Sequence, residues 1–435
     1  MENAYIFYGK EKQKFEIPSE WRVLTFADFR GQEENRDPKA LAVHCLKHPV
    51  GASPLKERLT SSDRIAVLVE DTTRASPKGK ILEVLLEELA SVSIPKDRIT
   101  IVMALGTHRG LTAEEFEKTF GKVLLDNYRF INHDCLSDDL VPVAELKTGR
   151  KVMINRIVHE ATYRIGIGSI FPHPMNGFGG GGKILFPGVA DLDAILDHHM
   201  QYCFHEGTGI GRLEGNLFYE EVRDVARSAK LDFVINSVLD QRDRVHDMVS
   251  GDPVKAHLAG IKLSKKIISQ PFNRQSDLTL ITSFPYSEGP QIVKPLIPAA
   301  MVTKEKGCII LAADCEGNLP DTFVDSFKNF HEKHGENLKG GVLEHYARRR
   351  LIMEEGAVDF NMALGLTLAI QHSFQIILVS RDISREKADK MGFLYGESLE
   401  EAFDMGSEIH PKPDVHIIPA GGVILPILEG SQVDA

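Results

Sequence analysis

IAVLVEDTTRASPKGKILEVLLEELASVSIPKDRITIVMAL spans residues 65–105, and its reading decides the fold. IAVLVED (65–71) reads as a buried strand, KILEVLLEELAS (80–91) as a helix, and ITIVMAL (99–105) as a second strand. Two strands joined through a helical crossover run parallel in one sheet.

The alternation continues outward. TAEEFEKTF (112–120) predicts a helix capped by Thr112, with Glu115 completing a capping box. YRFINHD, VMINRIV, YRIGIGSI and FVINSVL predict strands, and helices are expected near 191–204, 216–230 and 253–268. ISQPFNRQSD (268–277) is polar, carries Pro271 and reads as a linker. Beyond it the pattern restarts with LTLITS, a helix from about Ile292, CIILAA and QIILVS. Upstream, YIFYG and KFEI suggest an opening hairpin. The expectation is an α/β protein of two domains with mainly parallel sheets, one over 1–272 and one over 278–412. The tail 413–435, with VHIIPAGGVILPIL, fits either domain.

Composition narrows the class. The chain has 435 residues, 43% hydrophobic and 26% charged, which is an ordinary globular balance. A net charge of −11 argues against a nucleic-acid partner. Five cysteines (Cys45, Cys135, Cys203, Cys308 and Cys315) form no C-x-x-C pair and suit a reducing cytoplasm. No apolar run approaches the roughly 20 residues of a membrane span. The reading is a soluble, cytoplasmic protein with no membrane partner.

Ligands of open parallel sheets bind beyond the carboxyl ends of the strands, so the loops there carry the functional candidates. EDTTRASP places Asp71 and Arg74 after the first strand; they suit sugar hydroxyls and an anionic group, or a helix cap with a surface Arg. ALGTHRGLT places His108 at the next strand end, as an acid/base candidate or an exposed loop residue. HPMNGFGGGGKILFPG (173–188) sets His173 ten residues before Lys183. Its run Gly179, Gly180, Gly181, Gly182 suggests a backbone approached closely by a ligand, with amides able to cradle phosphate. Lys183 beside ILF suggests a partly desolvated amine that can act as a nucleophile or attachment point. LDHHMQYCFHEG carries His198 and His199, about 100° apart on a helix, so the two cannot readily share a metal. Gln291 and Lys294 share a face if helical.

Taken together, DTTRASP, GTHRG, the His173–Lys183 stretch, His199 and Gln291-Ile-Val-Lys294 resemble the nickel-pincer-nucleotide lactate racemase family in order and spacing. The resemblance covers most of the chain. It implies a two-domain α/β enzyme with its active site in the interdomain cleft, matured by separate cofactor-making enzymes. Its implied cofactor is a pyridinium mononucleotide whose sulfur groups pincer nickel. By the same resemblance Lys183 is the covalent tether, His199 a nickel ligand, and His108 and His173 the acid/base pair. Asp71, Arg74, Gln291 and Lys294 correspond to polar residues that contact cofactor or substrate. The implied reaction moves the C2 hydrogen of a small 2-hydroxy acid as hydride and returns it to the other face.

The sequence departs from the lactate-specific pattern in two places. Pro290 stands where lactate racemases tend to have Tyr, and the only tryptophan is Trp21, so the Trp that covers lactate has no counterpart. Both changes imply a larger pocket and a longer substrate, such as a sugar acid, with lactate racemase proper as the alternative. A phosphate-loop NTPase or kinase using Gly177–Lys183 is a rival, although Ile184 replaces the required hydroxyl. A non-catalytic nickel or nucleotide carrier and an oxidoreductase with free nicotinamide are further rivals. The latter lacks a G-x-G-x-x-G after the first strand.

Overall fold

The structure is a computed structural model that describes residues 4–28, 36–73, 76–316, 319–353 and 358–430. Two compact units divide the chain, one within Gln32–Ile267 and one joining Met1–Gly31 to Ile268–Ala435. They are called here the middle and the terminal unit.

Twelve strands make two six-stranded sheets among the described residues. In chain order they are β1 (Arg22–Phe26), β2 (Ile65–Glu70), β3 (Ile99–Ala104), β4 (Arg129–Asn132), β5 (Tyr163–Ile170), β6 (Phe233–Leu239), β7 (Val245–Gly251), β8 (Ser276–Thr282), β9 (Thr303–Ala312), β10 (Gln375–Val379), β11 (Leu394–Gly396) and β12 (Asp414–Ile418). The middle unit has the order β7-β6-β5-β2-β3-β4, parallel except for the β6–β7 pair. The terminal unit has the order β11-β10-β9-β8-β12-β1, parallel throughout.

Burial explains the parallel sheets. All eight residues of β5 and Ile65–Val69 of β2 are buried, the continuous apolar pattern of strands covered on both faces. Helix Lys78–Ser91 covers one face of the middle sheet through Ile81, Leu82, Leu85 and Leu89. Helix Ala113–Phe120 has the expected capping box between Thr112 and Glu115.

Three expectations are corrected. The opening segment does not join the first domain. β1 pairs with β12, Trp21 packs edge-on against Phe403 at 4.8 Å, and its indole N–H donates to Ser407 Oγ at 2.9 Å. The linker is partly a strand, because Ser269–Phe272 pairs in parallel with Leu425–Leu428 of the tail. VMINRIV is split: Lys151–Asn155 forms a separate hairpin with Leu140–Glu145, and Arg156–Glu160 turns into a short helix capped by Asn155. The opening hairpin itself forms, with Tyr5–Tyr8 paired to Glu11–Lys14. Both β12 and the tail strand Leu425–Leu428 belong to the terminal unit. Among the described residues no helix is long and apolar enough to cross a membrane.

Candidate active site

In the middle unit the chain runs from β2 outward to β3 and β4, then returns to the other side of β2 at β5. The crevice at the carboxyl ends of β2 and β5 is therefore the topological switch point, where ligands of such sheets bind. Asp71 follows β2, His108 lies four residues past β3, and His173 lies three residues past β5. Glu70 ties the two central strand ends together by accepting from Ser169 Oγ at 2.9 Å.

Asp71 and His108 form a pair. The Asp71 carboxylate accepts from His108 Nδ1, and its other oxygen accepts from the Thr73 backbone N–H at 2.9 Å. The Lys78 ammonium donates to the Asp71 carbonyl at 2.7 Å. With Nδ1–H turned to a carboxylate, the His108 lone pair sits on Nε2, the tautomer of a general base. Asp71 thus meets an imidazole, a contact that the sequence did not reveal. Arg74 lies outside the described residues.

His173 is built differently. It is buried and pairs with Gly177 in a two-residue hairpin. Its Nδ1 accepts from the backbone N–H groups of Met175 at 3.2 Å and Asn176 at 3.1 Å. The carbonyl of Met175 is held in turn by Asn216 Nδ2 at 2.8 Å.

Packing within the protein itself requires the glycine run. A Cβ on Gly179 would stand 2.6 Å from the Phe171 ring, on Gly181 2.6 Å from the His257 ring, and on Gly182 2.9 Å from the Ala226 Cβ. On Gly180 it would stand 3.0 Å from Asn236 Oδ1 and 3.1 Å from the Ser169 carbonyl. Gly177, Gly180 and Gly181 also have positive φ. The N–H of Gly179 donates to Phe171, that of Gly181 to Asn236 Oδ1, and that of Lys183 to Gly180. Those three amides are committed internally. That removes the basis for a phosphate-loop NTPase, because Lys183 lies in a 3-10 turn, Gly181–Ile184.

Lys183 and His199 come together over one ring. Lys183 Nζ lies 5.9 Å from the Phe218 ring centroid, and the His199 ring packs edge-on against the same ring at 4.9 Å. His199 Nδ1–H donates to the Ile195 carbonyl at 2.8 Å, which leaves the lone pair on Nε2. That is the tautomer a metal-binding histidine needs, with the second nitrogen already oriented by a carbonyl. The residues therefore fit a nickel-bearing group tethered at Lys183. His198 is fully buried against Phe186 and Phe218, and burial pushes its pKa well below the usual 6.5. It is a neutral core residue. Gly188 N–H donates to the Lys183 carbonyl at 3.2 Å, and Gly106 N–H donates to the Gly188 carbonyl at 2.9 Å, which links the His108 loop to the end of the Lys183 loop.

In the terminal unit the switch point lies between β8 and β12, and Gln291 and Lys294 occupy the loop after β8. Gln291 Nε2 donates to Asp359 at 3.4 Å, and Lys294 Nζ lies 5.6 Å from the Tyr286 ring centroid. Asp359 and Tyr286 are thus the neighbours of Gln291 and Lys294, and no motif marks either. Trp21 is buried in the terminal core.

A lactate racemase N-terminal domain matches residues 8–211. A lactate racemase of Thermoanaerobacterium thermosaccharolyticum is 30% identical over 336 residues, covering 75% of this chain and 78% of that protein. The chain belongs to the lactate racemase family. A second lactate racemase, from Lactiplantibacillus plantarum, is 32% identical over 62% of this chain and 64% of its own length. The lactate racemase apoprotein structure from T. thermosaccharolyticum superposes with a TM-score of 0.87 at 26% identity, covering 98% of this chain and 100% of that one. A Thermotoga maritima protein shares the fold alone, with a TM-score of 0.61 at 18% identity over 91% of this chain and all of its own. As a lactate racemase family member the chain is an isomerase of racemase or epimerase type, in a family whose nickel dependence is known. Membership sets aside the kinase, carrier and free-nicotinamide rivals.

Proposed function

We propose that the protein inverts C2 of a 2-hydroxy acid larger or more polar than lactate, such as a sugar acid, using a nickel-pincer nucleotide tethered at Lys183. The observation that carries this reading is the His199 tautomer, with its Nε2 lone pair, beside Lys183 on Phe218. When bound, the cofactor would supply a hydride-accepting pyridinium ring, so that C2 need not pass through a carbanion. His199 holds the nickel. His108 Nε2, backed by Asp71, takes the hydroxyl proton. Arg74, Gln291 and Lys294 bind and orient the acid, and separate maturation enzymes make the cofactor.

Two observations favour lactate itself as a second reading: both named relatives are lactate racemases, and Tyr286 lies beside Lys294. An extra methylene or hydroxyl usually changes discrimination by about 1–3 kcal/mol, so a panel of alkyl, aromatic and sugar 2-hydroxy acids must be ranked by kcat/KM. Lactate in first place selects the second reading.

The test of the route uses protein co-produced with the maturation enzymes and an acid deuterated at C2. Hydride transfer keeps the label in the inverted product, because a ring carbon does not exchange with water. Rapid washout of deuterium during inversion refutes the route. Intact mass should show an adduct that Lys183→Ala removes.

A further inference from the structure

We propose that the middle unit holds a second binding site, for a small carboxylate bearing hydroxyl groups, in a cavity beside the Lys183 turn. The cavity encloses about 90 Å³. Its walls come from Asn176 and Gly182, from helix Leu217–Ser228, and from the residues that lead into helix Lys255–Ile268. Asp71, His108, His173, Lys183 and His199 are not among its lining residues. The volume is about that of three waters in the liquid, or of one three-carbon acid.

The inner wall carries acceptors. Asn176 is 1% exposed, and its Nδ2 donates to the Phe178 carbonyl at 2.7 Å. Its Oδ1 is buried with no hydrogen-bond partner, a costly state unless a donor enters the cavity. His257 is 2% exposed and donates from Nε2 to the Gly179 carbonyl at 2.8 Å, which leaves the lone pair on Nδ1. Burial pushes its pKa down from 6.5 to about 4, so it stays an acceptor at neutral pH.

The outer wall carries donors. Tyr219, Val222, Arg223, Ala226 and Arg227 recur at helical spacing, so one face of helix Leu217–Ser228 borders the cavity. Tyr219 is buried, and burial raises its pKa, so it keeps its O–H. Arg223 and Arg227 stand outermost, with side chains 33% and 69% exposed. Asp224 accepts from Arg223 Nε and Nη2 at 3.2 Å each, which leaves the Nη1 group for a ligand. Asp252 spends its Oδ1 on the Val254 and Lys255 N–H groups at 3.1 and 2.9 Å.

Acceptors inside and cations outside select a molecule of the opposite polarity. Hydroxyl groups at one end meet Asn176 Oδ1 and His257 Nδ1, and a carboxylate at the other meets Arg223 and the Tyr219 O–H. Val222, Ala226 and Leu231 give the carbon chain an apolar wall. An ammonium at the inner end would meet the positive charge of Lys183, which His257 already feels. A polyol without a carboxylate would leave the guanidinium unanswered. The site uses its own groups and needs no turnover, so it stands apart from the racemase reading above.

The test titrates glycerate into the full chain, made without cofactor and carbon-13 labelled in its valine methyl groups. The Val222 and Val254 signals should shift and saturate by about 10 mM, the range open to so small a ligand. Arg223→Gln and Tyr219→Phe should each weaken binding by about 10-fold, while Lys294→Gln should leave it within about twofold. Propanoate, which lacks hydroxyls, and glycerol, which lacks the carboxylate, should each bind about 10-fold more weakly. Unshifted Val222 and Val254 signals would mean that water alone fills the cavity, and they overturn the proposal. Binding lost in Lys294→Gln but kept in Arg223→Gln would seat the acid at the candidate active site and overturn it as well. So would glycerol that binds as tightly as glycerate. A holoenzyme that inverts no 2-hydroxy acid while these shifts persist defeats only the racemase reading.

Discussion

The His108 loop and the His173–Lys183 loop leave the ends of β3 and β5, on either side of β2, yet they are held by different means. His108 is partly exposed and is paired with the Asp71 side chain. The second loop is almost wholly buried, and it is held by its own backbone together with Asn216, Asn236 and His257. A group that must exchange a proton gains from a side-chain partner that tolerates both of its charge states. A group that must stay in place gains from backbone contacts that forbid any other arrangement. One loop thus depends on an ion pair and the other on its own packing.

Breaking the first loop should have the largest effect. Asp71→Asn leaves a side chain of similar size but removes the carboxylate that fixes the His108 tautomer and stabilises its imidazolium. Steady-state assays should show kcat lower by about 10²–10⁴-fold, with the folded structure unchanged by circular dichroism. A loss below threefold would mean that Asp71 does not set the state of His108.

Acid should strain the second loop instead. His257 donates from Nε2 to the Gly179 carbonyl at 2.8 Å, and burial lowers its pKa from 6.5 to about 4. The unfolded chain then binds the proton first on acidification. The stability from this residue is complete above pH about 6.5 and is lost as pH falls to about 4, in total on the order of 3 kcal/mol. Denaturant unfolding of wild type and His257→Asn across that window should show a steeper fall in wild type. Parallel curves would clear His257 of the effect.

The glycines offer the smallest and sharpest contrast. Gly106 in the His108 loop and Gly181 in the buried loop have similar φ, +56 and +57. An added Cβ meets nothing nearer than 3.7 Å at Gly106 but lies 2.6 Å from the His257 ring at Gly181. Gly106→Ala should destabilise by about 1 kcal/mol from backbone strain alone, and Gly181→Ala by about 3 kcal/mol with the clash added. Equal shifts in unfolding midpoint would show that the buried loop yields more readily than its packing implies.

Local order along the chain was enough to read the parallel α/β class. Apolar runs and helical spacing are properties of neighbouring residues, so β2, β3, β5, β6 and the Thr112 cap were legible. The strand-end positions of Asp71, His108 and His173 followed from the same alternation. Pairing over long separations was not legible. β1 joins β12 across nearly the whole chain, and Ser269–Phe272 finds Leu425–Leu428, because edge pairing depends on which partner the folded units bring near. The four glycines suggested a ligand, whereas Phe171, Ala226, Asn236 and His257 crowd them from distant segments. Residue types alone placed histidines at 108, 173 and 199; only the tertiary structure decided their tautomers. A ring nitrogen's proton is set by the group opposite it, and Asp71, the Met175 and Asn176 amides, and the Ile195 carbonyl take those positions only once the chain has folded.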